Sequence, residues 1–388
     1  MTRIRKSRRI ALIAALLALL PLRAKAQAAP EQEPPPVSAA AAVLLDRASG
    51  RVLYEKNPDQ PMQAASTTKI MTALLVLESC RMEDQVKIRA EWTRTEGSSM
   101  YLRAGETYTV GELLYGLMLA SGNDAAVALA CHAAGDEAAF VARMNQRAAD
   151  LCMTGTRFVD PNGLRSEGHS ATARDMAVLA REAMENPEFA ALVATKTAVV
   201  AGQSLRNHNK LLWQYPGAVG VKTGYTRAAG RALVSCAERE GGSYICVTFS
   251  APNDWADHAA LLDWAYSRYE TVDVSSLSWT VPVISGTADS VTVRPAASCR
   301  LLAEKGAPLR QEVSLPGFLY APLTAGEEVG RLRLLAEDGT ERASVPLVCE
   351  SAVPLDGTEP LTLWEKLRRA WFFACRHGGI QPNMGLLY

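Results

Sequence analysis

The chain of 388 residues predicts an α/β or α+β domain over residues 38–272, a small β-rich domain over 273–355 and an amphipathic helix over 361–376. Three observations predict it. Strand-like runs flank a block of helical periodicity in the first part, short alternating segments punctuated by Gly and Pro fill the second, and an apolar arc opposes a basic one in the third. Composition agrees with a folded protein, 48% of it hydrophobic, with 41 Lys+Arg against 41 Asp+Glu. A neutral chain with no basic stripe lacks the electrostatic footprint of a nucleic-acid binder, so no nucleic acid is expected as a partner.

The N-terminus, "MTRIRKSRRIALIAALLALLPLRAKAQAAPEQ", has a basic start, an apolar core from Ile10 to Leu22 and the small-x-small tripeptide Ala24-Lys25-Ala26. This is the three-part pattern of a secretory signal, so residues 1–26 are expected to be cleaved and the protein exported. The apolar run is shorter than the roughly 20 residues that span a bilayer. Residues 27–37 form a Pro-rich spacer. The eight cysteines include no CxxC pair and no dense cluster, which argues against a zinc site. No cofactor and no metal are expected.

"AAAVLLDRASGRVLYEKNPDQ" reads as a β-hairpin around an Asp-Arg-Ala-Ser-Gly turn. From Thr67 to Glu78, Ile70, Met71, Leu74, Leu75 and Leu77 recur at helical spacing; Ser66 is a candidate N-cap and shares a face with Lys69. Further helices are predicted in "VGELLYGLMLASGNDAAVALACHAAG", "DEAAFVARMNQRAADLC" and "TARDMAVLAREAMEN". "VGVKTGYT", "RALVSCAERE" and "SYICVTFSAP" read as consecutive strands, and "WADHAALLDWAYSRYE" as a closing helix. In "TLWEKLRRAWFFACR", Leu363, Trp364, Leu367, Ala370, Trp371, Ala374 and Cys375 share one arc, opposite Glu365, Lys366, Arg368, Arg369 and Arg376. A basic face with tryptophans on the other side suits a helix lying on a membrane surface, and the segment is too short and charged to span one.

The candidate chemistry lies in three short motifs. A lysine three residues after a serine acts as a base only where burial or a neighbouring cation keeps it partly uncharged. Ser66-x-x-Lys69 alone occurs often by chance as a cap and a solvated lysine. Ser121-Gly122-Asn123, however, interrupts an apolar helical run with side chains able to relay or accept protons. Lys222-Thr223-Gly224 sits on a predicted strand, where the glycine permits close backbone approach. Together, in this order, the three are far more specific than any one.

On these motifs the chain resembles the active-site serine superfamily of penicillin-binding proteins and serine β-lactamases, and within it the low-molecular-mass D-alanyl-D-alanine carboxypeptidases. "YLRAGETYTVGELLYGLMLASGNDAAVALA", "TRFVDPNGL", "GHSATARDMAVLARE" and "NHNKLLWQYPGAVGVKTGYT" carry the resemblance further, over roughly 39–272. It implies a transpeptidase-like catalytic domain, followed by the β-rich domain and an anchoring helix. Ser66 would be the nucleophile, Lys69 its base, and Ser121 with Lys222 a relay to the leaving amine. Asn123 would hold Lys69 and the substrate, Thr223 with Lys222 would bind the terminal carboxylate, and Gly224 and Tyr225 would complete the site, the Tyr225 amide sharing the oxyanion with that of Ser66. The expected partners are peptidoglycan stem peptides, β-lactam antibiotics and, through the terminal helix, the extracytoplasmic membrane surface.

The resemblance also implies alternatives: a β-lactamase, for which Glu182 and Glu185 are the carboxylates to consider, a DD-endopeptidase, or a non-catalytic wall-binding scaffold. "APNDWADH" lacks an arginine that some family members carry there for carboxylate binding, which leaves Arg227 or Arg231 as helpers. His169 and Asp175 are expected to be structural.

Overall fold

The computed structural model describes residues 33–165, 167–240, 242–296, 300–357 and 362–377. The expected signal sequence lies outside them. The described residues from 34 onward form one compact unit.

Five antiparallel strands make the central sheet, in the order Val52–Lys56, Ala41–Asp46, Gly242–Phe249, Gly230–Arg239, Ala218–Thr226. The predicted hairpin supplies the first two. Its turn closes because the Asp46 carboxylate accepts from Ser49 N (2.8 Å) and Ser49 Oγ (2.6 Å), an aspartate turn that frees the chain to reverse. From Ala41 to Leu45 this strand is apolar because both faces are covered. Val43 and Leu45 enter a core with Ile70, Met71, Leu113 and Met176, while Ala42 and Leu44 enter one with Leu233, Leu261 and Ala265. Strand alternation therefore separates a helical block on one face from the helix Asp254–Arg268 on the other.

The helical block contains Lys69–Ser79, Val110–Met118, Asn123–Ala134, Glu137–Asp150, Ala173–Glu185 and Pro187–Ala194. Four of these six helices start at a side-chain cap: Thr109, Asp136, Thr172 and Asn186. Thr109 and Glu112 form a reciprocal capping box, and Asp136 and Thr172 accept from the backbone of Ala139 and Asp175.

Two predicted features differ. The segment expected to continue through Ser121 as one interrupted helix is two helices, because Ser121 takes a left-handed φ of 60° and the chain turns there. Ser66 is not an N-cap either: it lies inside the 3-10 turn Ala65–Thr68 that precedes Lys69–Ser79, and no side chain caps that turn. Its hydroxyl is thereby left for other partners.

The helix Asp254–Arg268 runs into the strand Tyr269–Asp273, paired with Arg300–Glu304. A six-stranded sheet follows, in the order Arg310–Ser314, Glu328–Leu335, Glu341–Cys349, Ser290–Pro295, Trp279–Ile284, Leu319–Tyr320. It has its own core, including Val281, Val293, Leu332, Leu334, Val345 and Leu347. A terminal helix covers Leu363–His377, with Leu363, Trp364, Leu367 and Trp371 exposed. No single helix among the described residues is long and apolar enough to cross a membrane. Cys80, Cys131, Cys152, Cys236 and Cys246 are free thiols.

Candidate active site

The residues singled out by sequence converge at the edge of the central sheet, around a cleft of about 560 Å³ whose lining includes Ser66, Ser121, Thr223, Gly224 and Tyr225. Ser66 follows Ala65, which is held at φ 46°, a left-handed conformation that costs a non-glycine residue about 1–2 kcal/mol. Packing maintains it. A Cβ on Gly163, itself at φ 78°, would stand 1.9 Å from Ala65 O, so only glycine lets this loop close over the turn. From the other side Gly224 presses on the same turn: its Cβ would meet Ala64 O at 3.0 Å and the amides of Ser66 and Thr67 at 3.2 Å. The close approach expected at Gly224 is thus made to the backbone that carries Ser66.

One helical turn after Ser66, Lys69 is fully buried, and its Nζ lies 2.9 Å from Ser66 Oγ. The same Nζ donates to Asn123 Oδ1 at 2.7 Å and to the carbonyl of Asn162 at 3.0 Å. Burial, reinforced by the Lys222 charge, pushes the Lys69 ammonium well below its ordinary range, while Asp160 and Asp124 partly restore it. Asn123 opens its helix and is fixed at both ends of its amide, with Nδ2 donating to the Glu96 carbonyl. Next to it, Asp124 accepts from Ser99 Oγ (2.6 Å), Met100 N (3.1 Å) and Leu102 N (3.0 Å), tying down the loop that forms one wall.

Lys222 is also buried, 1% exposed, and donates to the Thr223 carbonyl at 3.0 Å. Desolvation pushes its ammonium down to about 7, so near neutrality it holds its proton only part of the time. Ser121 stands buried at the cleft wall. Cross-strand register puts Arg231 opposite Tyr225, and Arg231 lines the cleft. Its Nε donates to Asp254 at 2.9 Å and its guanidinium lies 5.6 Å from the Trp255 ring centre. Arg227, in the turn between the two strands, is not among the lining residues.

Several neighbours carried no side-chain signal in the sequence. The Asp160-Pro161-Asn162-Gly163 turn gives Lys69 a backbone acceptor, and Asp160 organises it by accepting from the amides of Asn162, Gly163 and Arg165. In the sequence this segment enters only as part of "TRFVDPNGL", which carries the family resemblance. Arg206, Lys210 and Trp213 form another lip of the cleft.

His169 and Asp175 act as ties. His169 Nε2 lies 2.9 Å from Thr68 Oγ1, and Asp175 accepts from Gly155 N at 3.0 Å and Thr156 Oγ1 at 2.7 Å. Glu182 and Glu185 lie outside the cleft lining and pair with Arg147 (2.7 Å) and Arg47 (3.3 Å), so neither carboxylate positions a water beside Ser66. Among the described residues no group of three or more His, Cys, Asp or Glu could hold a metal ion.

Comparison with known proteins supplies the family. Residues 27–253, more than half of the chain, match the D-alanyl-D-alanine carboxypeptidase family, and residues 269–355 match the penicillin-binding protein 5 C-terminal domain. The chain is 34% identical over 331 residues to D-alanyl-D-alanine carboxypeptidase DacF of Bacillus subtilis, covering 80% of this chain and 85% of that protein. It is 37% identical over 247 residues to DacB2 of Mycobacterium tuberculosis, covering 61% and 84%. Its fold is similar to the crystal structure of penicillin-binding protein 5 from Haemophilus influenzae, with a TM-score of 0.70 and 28% identity over 83% of this chain and 99% of that one. With the expected fold class and enzyme class both supported, the chain belongs to the D-alanyl-D-alanine carboxypeptidase family of serine penicillin-binding proteins.

Proposed function

We propose that the enzyme removes the terminal D-alanine of peptidoglycan stem peptides by acyl transfer through Ser66. The single observation that carries this reading is the buried Lys69 Nζ, 2.9 Å from Ser66 Oγ and held by Asn123 and the Asn162 carbonyl. An amine forced toward neutrality beside a hydroxyl is a general base for that hydroxyl.

In the proposed sequence, neutral Lys69 takes the Ser66 proton as Oγ attacks the carbonyl of the penultimate D-alanine. The oxyanion is met by the backbone N–H groups of Ser66 and Tyr225, each such donor stabilising an acyl-transfer transition state by about 3 kcal/mol. Collapse of the tetrahedral intermediate breaks the peptide bond, and the leaving amine takes a proton passed through Ser121 and Lys222. A lysine titrating near 7 is matched to that relay. Asn123 fixes the base and accepts the substrate amide. Thr223 and Lys222, with Arg231 held by Asp254, receive the terminal carboxylate. Water then hydrolyses the ester on Ser66. Penicillins, whose strained amide occupies the same position, acylate the same hydroxyl.

The signal-like start, residues 38–272 as catalytic domain and 273–355 as a β-rich domain fit work outside the cytoplasmic membrane. The exposed tryptophans Trp364 and Trp371 support membrane-surface attachment through the terminal helix. Incubation with a peptide ending in D-Ala-D-Ala is expected to release D-alanine, and Ser66→Ala to stop it. Release that survives this substitution would overturn the proposal.

A further inference from the structure

His169 is buried and takes no part in the acyl transfer, yet it joins the two segments that hold Lys69. One is the turn Ala65–Thr68, in which left-handed Ala65 precedes Ser66. The other is the loop 158–163, whose Asn162 carbonyl accepts from Lys69 Nζ at 3.0 Å. His169 Nε2 lies 2.9 Å from Thr68 Oγ1, and its Nδ1 faces Val159 N at 3.4 Å. The next two residues fasten the same segments by backbone: Ser170 pairs with Arg157, ahead of the loop, and Ala171 with Met62, ahead of the turn.

These partners fix the tautomer. A backbone N–H only donates, so Nδ1 accepts from Val159, and the single proton of the neutral ring sits on Nε2, where Thr68 Oγ1 accepts it. Burial lowers the proton affinity of the imidazole, and the Asp160 carboxylate on the loop partly restores it. Of the other charged groups on the elements His169 joins, Lys69 follows Thr68, Arg165 pairs with Glu137 at 3.0 Å, and Asp175 accepts from Gly155 and Thr156. A proton added at Nδ1 would set two N–H groups against each other. The loop has little slack to absorb that: Asn145 holds Phe158 at its N–H (3.0 Å) and its carbonyl (2.8 Å), Thr72 Oγ1 donates to Pro161 O at 2.6 Å, and Gly163 lies against Ala65 and Thr68. The displacement falls on Val159 and Asp160, and Asp160 shapes the turn that presents Asn162.

We propose that His169 is a positioning residue for the base: its neutral imidazole, bridging Thr68 and Val159, sets the Asn162 carbonyl against Lys69, and a proton on Nδ1 undoes that setting. Acylation then answers to two titrations, that of Lys69 and that of a group outside the cleft. This rests on the reading of Ser66 and Lys69 above and adds a second source for the loss of activity in acid.

The test follows acylation by a fluorescent penicillin from about pH 4 to 8, a range that spans the titration of a lowered imidazole. It compares the wild type with His169→Asn, His169→Phe and Thr68→Val. The rate constant is read rather than the amplitude, so unfolded molecules do not enter. Asparagine keeps an acceptor where Nδ1 stands but takes no proton there, whereas phenylalanine keeps a ring and loses both bonds. At pH 7 His169→Phe is expected to acylate about 10- to 100-fold more slowly than the wild type, and His169→Asn to recover about 10-fold of that loss. Thr68→Val, of the same shape, should slow acylation about 3- to 10-fold, which keeps the test open if His169→Phe does not fold. Toward acid the wild-type rate should fall more steeply than that of His169→Asn, which lacks one of the two protonations. A merely structural His169 would lower stability and leave the rate constant and its pH dependence alone. Wild-type rates in His169→Phe or Thr68→Val, or equally steep acid limbs in the wild type and His169→Asn, would overturn the positioning role and leave the carboxypeptidase reading intact. Failure of the wild type to acylate at all would overturn that reading and this one with it.

Discussion

Replacing Lys222 by methionine should make the protein more stable and inactive. The ammonium is buried and its proton affinity falls from 10.5 to about 7, so between these pH values the unfolded chain binds a proton that the folded chain binds less. Stability from this group therefore rises with pH across the window and is lowest below pH 7. At about 1.4 kcal/mol per pH unit, the burial costs on the order of 4 kcal/mol at pH 7. Losing the hydrogen bond to the Thr223 carbonyl offsets about 1 kcal/mol. Lys222→Met should thus gain roughly 2–3 kcal/mol in chemical denaturation at pH 7, and the gain should shrink by up to about 1.4 kcal/mol per unit as pH rises. The same change removes the cation that depresses Lys69, so any residual acylation should shift its acid limb to higher pH. A destabilised variant, or a stability difference that does not change between pH 6 and 9, would refute the claim that this lysine is held neutral at a cost.

Three further outcomes follow from the same geometry. Lys69→Arg keeps the charge but has no neutral form to take the Ser66 proton, so labelling by a fluorescent penicillin should fall at least about 100-fold. Gly224→Ala puts a methyl 3.0 Å from Ala64 O and 3.2 Å from the amides of Ser66 and Thr67, backbone that cannot swing aside; labelling should slow about 10- to 100-fold while thermal stability drops by no more than about 1–3 kcal/mol. Asp160→Asn removes a negative charge that supports protonated Lys69, so the acid limb of the acylation rate should move to lower pH. It also weakens the turn that presents the Asn162 carbonyl, which denaturation should register as a loss of about 1–3 kcal/mol.

Periodicity and turn chemistry made most of the fold legible. The strand Ala41–Asp46 and the three from Ala218 to Phe249 are apolar enough to read as buried, and Gly-containing turns separate them. The candidate site is legible wherever a side chain would carry its chemistry: Ser66 and Lys69 one turn apart, Ser121 and Asn123 at a break, Lys222 on a strand. Backbone contributions were not. Asn162 acts through its carbonyl, and any residue supplies a carbonyl. Ser66 looked like a helix cap because the sequence cannot show that Ala65 is left-handed; Gly163 and Gly224, distant in sequence, make that turn possible. The strand register, which puts Arg231 opposite Tyr225, brings Arg231 and not Arg227 to the cleft lining, and the sequence does not show that register. The Arg206–Trp213 lip leaves no mark in the sequence, because a stacked cation in a cleft and a solvated one have the same sequence.

Ser66, activated by a buried Lys69, is the proposed acylated nucleophile. Mass mapping of peptides after penicillin treatment tests it most directly. One stable penicilloyl adduct is expected, on the peptide containing Ser66, absent from Ser66→Ala and from Lys69→Arg. An adduct on another serine, or undiminished labelling of Lys69→Arg, would contradict it.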